Sequence, residues 1–157
     1  MDCSINHFYC FDVFNTILNM EDIPYKELAE YSRKVHHPQW ERLSLPDHWR
    51  YLQAYDGAAK RLAKFSENYV CAFTNCPSVL LMELSWKNNL RWDAIIPLEV
   101  AKVFKPDIRA YELICDFLGV MPAQITVVTA NKDFGDIEQA KKLGMNTILT
   151  GPGLKPL

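Results

Sequence analysis

Short apolar runs alternate along the chain with longer stretches in which apolar residues recur every three or four positions. The first run, His7 to Val13 (HFYCFDV), is aromatic and β-branched and reads as a buried strand, ending where Asp12, Asn15 and Thr16 appear. Four more runs of strand character follow: Tyr69 to Phe73, Ala94 to Ile96, Ile125 to Ala130 and Asn146 to Thr150. Between them lie helical stripes. Ala58, Ala59, Leu62, Ala63 and Phe65 form one, and 77–88 holds another. Ile108, Tyr111, Ile114, Cys115 and Leu118 run up to Gly119, and Ile137, Ala140 and Leu143 run up to Gly144. Pro106 is expected in the first turn of the third of these helices, where a missing N–H costs nothing.

Strands that alternate with helices of roughly ten residues or more predict right-handed crossovers. The expected fold class is α/β: a Rossmann-like parallel sheet of about five strands with helices on both faces. Ligands of such sheets bind beyond the carboxyl ends of the strands. From Ile23 to about Trp49 the texture changes to charged and aromatic residues with helical stretches, within a segment running from Met20 to roughly Gln53. That segment is too short to bury a core of its own, so the expectation is one domain over 1–157 with a small helical insertion at about 20–53.

Composition adds exclusions. The 157 residues are 49% hydrophobic and 23% charged, the makeup of an ordinary globular chain. A net charge of −2 supplies no basic stripe, so nucleic acid is not expected as a partner. No apolar run is long enough for a membrane span, and Met1 to His7 lacks the features of a signal peptide, so a cytoplasmic protein is expected. Cys3, Cys10, Cys71, Cys76 and Cys115 are odd in number, show no CxxC spacing and read as reduced thiols. Oligomeric state is not legible.

The chemistry gathers at the predicted strand ends. Asp12 follows the first strand, Thr74 and Asn75 the second, and Asn131, Asp133 and Asp136 the fourth, while Lys105 lies in a loop before a helix. A carboxylate, a hydroxyl, an amide, a lysine and a second carboxylate at one sheet edge form a usable set for nucleophilic catalysis. Simpler readings compete. Asp12 is a common turn residue, Thr74 and Asn75 could cap a helix before Pro77, and Tyr111 lies on an apolar stripe. His7, His36, His37 and His48 show no metal-ligand spacing. Arg33, Lys34, Arg42 and Arg50 could grip an anion but read mostly as solvated surface.

Phe11-Asp12-Val13-Phe14-Asn15-Thr16 resembles the first motif of the haloacid dehalogenase superfamily, a hydrophobic strand followed by D-x-x-x-T. Phe73-Thr74-Asn75 is similar to the second motif, Val103 to Asp107 to the lysine motif, and Asn131 to Gly144 to the acidic fourth motif, all in order. The resemblance implies hydrolysis of a small anionic substrate through a covalent intermediate on Asp12. Lys105 would balance charge between Asp12 and the bound anion, and Asp136 would orient Lys105 or a water. Thr16, Thr74, Asn75, Asn131 and Tyr111 would serve the substrate. Lys105, in a loop beside Pro106, is expected to contribute charge rather than packing, so that Lys105→Ala would remove turnover and spare the fold.

Departures from the superfamily pattern refine the expectation. Phosphatases of the superfamily resemble D-x-D-x-T, in which the second Asp protonates the leaving oxygen; here that position is Phe14. The first acid of the fourth motif falls on Asn131, which weakens a site for a hard cation. Both features resemble the 2-haloacid dehalogenase branch, which uses no metal and expels a halide that needs no proton. Asn15 departs, since Gly is common there. Dehalogenase-like displacement at carbon, without a cofactor, is the favoured expectation. The alternatives are a Mg²⁺-dependent phosphomonoesterase, with Asp12, Asp133 and Asp136 at the metal, and a degenerate binding or regulatory protein.

Overall fold

In a computed structural model, residues 7–35 and 45–157 are described. Five strands, β1 (Phe8–Phe11), β2 (Tyr69–Ala72), β3 (Ala94–Ile95), β4 (Ile125–Thr129) and β5 (Asn146–Leu149), form one sheet in the order β3-β2-β1-β4-β5. All four pairings are parallel. Every residue of β4 is buried, and because successive side chains point to opposite faces, both faces of the sheet are covered there. At the edge, β5 alternates exposed and half-buried residues.

The helices are α1 (Tyr25–Val35), α2 (Ala58–Ala63), α3 (Ser78–Lys87), α4 (Leu98–Ala101), α5 (Ile108–Leu118) and α6 (Asp136–Lys142), with a 3₁₀ turn at Asp47–Tyr51. The apolar stripe of α5 buries Ala110, Tyr111 and Ile114. Asp107 caps its start by accepting from the Arg109 N–H at 2.9 Å, and Gly119 closes it in the left-handed region at φ 68°. Pro106 therefore stands before the cap, outside the first turn where the sequence predicted it. The four-residue α4 was not anticipated.

The chain leaves β1 toward β2 and β3 on one side and returns to β4 and β5 on the other, so a crevice opens beyond the carboxyl ends of β1 and β4. Asp12 sits at its base, its N–H donating to Val128 O at 2.9 Å. Asn15 adopts φ 65°. That left-handed conformation is free for Gly and tolerated by Asn, which gives its departure from the motif a backbone reason. Cys10, Cys71, Cys76 and Cys115 are free thiols; Cys3, His36, His37 and Arg42 lie outside the described residues.

Candidate active site

Beyond the ends of β1 and β4 is a cavity of about 630 Å³ lined in part by Asp12, Thr74, Asn75, Lys105, Asn131 and Asp133. At its base Lys105 lies between two carboxylates, its Nζ donating to Asp12 Oδ1 at 3.0 Å and to Asp136 Oδ2 at 3.1 Å. The three residues are 1%, 4% and 0% exposed for Lys105, Asp12 and Asp136 respectively. Burial opposes the lysine's charge, but the two carboxylates outweigh it and hold Lys105 above its ordinary range. Burial, with the charge of Asp12, raises the Asp136 carboxyl, while Lys105 and Tyr111 pull it back. A lysine so enclosed fills space as well as carrying charge, and its ammonium also lies 4.7 Å from the centre of the Phe73 ring.

The two oxygens of Asp12 differ. Oδ2 accepts from Thr16 Oγ1 at 2.8 Å, from Thr129 Oγ1 at 3.0 Å and from Asn131 Nδ2, whereas Oδ1 accepts, among the described residues, from Lys105 alone. Three donors fix the carboxylate through one oxygen and leave the other with lone-pair capacity. Asn131 spends its second amide hydrogen on Phe14 O at 2.8 Å, tying the loop after β4 to the loop after β1.

Several residues expected at the substrate stand elsewhere. Thr16 is fully buried behind Asp12, where its hydroxyl also accepts from Ala130 N at 2.9 Å. Tyr111 is buried with its hydroxyl on Asp136 Oδ1, and burial followed by the Asp136 charge pushes its phenol up. Neither lines the cavity; Thr16 holds Asp12, which does, and Tyr111 holds Asp136, the partner of Lys105. Asn75 lines it, but its amide clamps the Lys105 backbone, accepting from N at 2.9 Å and donating to O at 3.0 Å. Thr74 Oγ1 accepts from Cys76 N at 3.1 Å, so it anchors its own loop, and its O–H makes no hydrogen bond among the described residues. Asp133 is exposed at the rim. Among the remaining candidates, Lys34 pairs with Glu30, Arg50 with Glu83, and His48 with Glu27, all away from the cavity.

The donor set does not suit Mg²⁺. Both oxygens of Asp136 accept from protein donors, one of them a cation, and the same ammonium occupies the space between Asp12 and Asp136. A hard dication needs those oxygens free.

Thr129 was missed by sequence reasoning, although it ends β4 as Thr74 follows β2. Its Oγ1 links Asp12 to the Asn131 N–H, which it accepts at 3.0 Å. Tyr31 was missed as well. From α1 its hydroxyl donates to Asn75 O, and its ring meets those of Phe14 and Trp49 edge-on at 6.4 and 5.5 Å.

The sheet order, the crevice and the buried lysine between two carboxylates define an α/β protein of the haloacid dehalogenase-like fold. An L-2-haloacid dehalogenase structure superposes at a TM-score of 0.72 with 18% identity, covering 98% of this chain and 88% of that one. The L-2-haloacid dehalogenase of Xanthobacter autotrophicus with chloropropionic acid covalently bound matches at 0.69 with 20% identity, over 93% of this chain and 78% of that chain.

Within that fold the likeness in sequence runs to the 2-haloacid dehalogenases. The (S)-2-haloacid dehalogenase 4A of Burkholderia cepacia is 31% identical over 104 residues, 64% of this chain and 44% of that protein. The chain thus matches less than half the length of this curated relative. No family model matches the chain.

Proposed function

We propose that the protein is a hydrolase that displaces halide from short 2-haloacids through Asp12. The observation that carries this reading is the asymmetry of the Asp12 carboxylate: Oδ2 is held by Thr16, Thr129 and Asn131, and Oδ1 is left to attack beside Lys105. Oδ1 forms a C–O bond as the carbon–halogen bond breaks, and the halide leaves with the electron pair. Water then adds to the carbonyl of the resulting Asp12 ester, releasing a 2-hydroxyacid, a proton and the free carboxylate. Splitting one displacement into two is what a covalent nucleophile supplies.

Lys105 balances the charge of Asp12, Asp136 and Tyr111 hold Lys105, and the segment from about Met20 to Gln53 serves as a small cap. Phe14 lines the cavity and can donate no proton, which suits a halide and not an alkoxide. No metal is needed in this reading, supported by the commitment of Asp136 to Lys105 and Tyr111. No helix among the described residues is long and apolar enough to cross a membrane. The cytoplasm is the proposed setting, where thiols such as Cys10 and Cys71 stay reduced.

The test is a paired measurement: halide release from short 2-haloacids and phosphate release from phosphomonoesters, each with and without Mg²⁺. Halide release indifferent to Mg²⁺ and lost in Asp12→Asn is expected. Mg²⁺-dependent phosphate release without halide release would replace this reading with a phosphatase, and neither activity would leave a binding protein.

A further inference from the structure

The charges around the cavity pose a problem for an anionic substrate. Lys105 is the cation at its base, but two of its N–H groups are committed to Asp12 and Asp136 and its ammonium sits over the Phe73 ring. With both carboxylates ionised that trio carries a formal charge of −1, and Asp133 adds another negative charge at the rim. A carboxylate entering here meets net repulsion unless another cation receives it.

Among the described residues that line the cavity, the only other cation is Lys132, in the loop between β4 and α6. It is exposed and has no ion-pair partner among the described residues. Thr74 adds a hydroxyl hydrogen that makes no hydrogen bond among the described residues, and Ser32 adds a second hydroxyl from α1. Leu28, Tyr31 and Phe14 complete an apolar part of the same lining.

We infer that Lys132 is the specificity-determining cation of this site: it receives the substrate's carboxylate, helped by the Thr74 hydroxyl, and leaves a short alkyl group to Leu28, Tyr31 and Phe14. This rests on the proposed dehalogenase reading and narrows its substrates to 2-haloacids ionised at the carboxyl and apolar at the other end. A charge-assisted contact at a partly solvated rim steadies the ground state and the transition state alike, so its loss acts on KM more than on kcat.

The experiment compares the parent, Lys132→Met and Lys132→Arg on 2-chloropropionate and on the uncharged 2-chloropropionamide. For Lys132→Met, KM for the acid should rise about tenfold, the size of one charge-assisted hydrogen bond, and Lys132→Arg should restore it. The amide should show no such rise. An unchanged KM for the acid, or equal rises for acid and amide, overturns the assignment. If the parent releases halide from neither compound, the dehalogenase reading fails by itself, and propionate binding measured by calorimetry judges Lys132 separately. Weaker binding in Lys132→Met upholds the cation's role; equal binding, or none in the parent, overturns it.

Discussion

At the base of the cavity each oxygen of Asp12 and Asp136 accepts from a protein donor, whereas the wall contributed by α1, with the Asp47–Tyr51 turn packed behind it, is held by rings. Phe14, Tyr31 and Trp49 meet edge-on at 5.5 to 6.4 Å. Glu27 accepts from Trp49 Nε1 at 3.1 Å and pairs with His48 at 2.8 Å, Tyr31 reaches Asn75 O, and Arg50 reaches Glu83. The contrast separates two tasks. A buried charge cluster tolerates one geometry, because any lost partner leaves an uncompensated charge; aromatic edges slide at small cost and can adapt to what enters. The base is held in one arrangement by charge, and the wall is left freer to adapt.

Lys105→Ala tests the base most severely. It should abolish turnover and, against the expectation from sequence, lower stability by about 3–5 kcal/mol, the cost of leaving a buried carboxylate pair without its cation. Lys105→Met, which retains most of the volume, should recover packing but neither the charge balance nor the activity. In both variants the penalty should shrink as the pH falls, because protonating Asp136, whose carboxyl burial already raises, removes the repulsion. Urea titrations over acid pH check this. A Lys105→Ala protein as stable as the parent would show that the cluster does not depend on its cation.

Tyr31→Phe probes the junction of base and wall. The hydroxyl donates to Asn75 O, and the Asn75 amide clamps both backbone polar groups of Lys105. Losing it should cost about 1 kcal/mol and leave the ring contacts in place. A fall of a few-fold in kcat, larger than any change in KM, would mark Tyr31 as a positioning residue for Lys105. Unchanged kcat with lowered stability would confine it to packing.

The same contrast explains what could be read from the sequence. The five strand runs, their parallel pairing and the places of Asp12, Lys105 and Asp136 were legible because each residue follows an apolar run or lies in the next loop, where position alone implies the sheet's carboxyl edge; the order of the strands in the sheet was not. Thr129 was not, since in Ile125–Thr129 a β-branched hydroxyl residue looks like any strand former. Thr16 and Tyr111 were assigned to the substrate through the motif resemblance, which says which residues gather at a site and not which stand behind it. Tyr31 was invisible in a segment without a motif, because its partner lies 44 positions away. Gly135 shows the same limit. At φ 111° it lies where an added Cβ would come within 2.8 Å of Pro106 Cβ, beside Lys105, a closeness only the fold reveals.

The smallest expected effect lies at the outer edge of the wall, where the chain returns to the sheet. Glu83 on α3 accepts from Arg50 Nη2 at 3.0 Å and pairs with Lys87 at 3.0 Å, and Lys87 Nζ also donates to Arg50 O at 2.9 Å. The Arg50 and Lys87 cations hold the Glu83 carboxyl down to about 2 from an ordinary 4.5. A carboxyl held low in the folded state stays ionised where the unfolded chain has taken up a proton. Its contribution is therefore complete above pH 4.5 and fades as the pH falls toward about 2. Because these groups are exposed, the effect should be modest and should weaken with added salt. In Glu83→Gln, the urea midpoint should drop slightly at neutral pH and converge on that of the parent in acid. Parallel curves at all pH values would mean that the turn is pinned instead by neutral bonds, such as that from Asn88 Nδ2 to Leu52 O at 3.1 Å, and that the wall owes its attachment to α3 to geometry rather than charge.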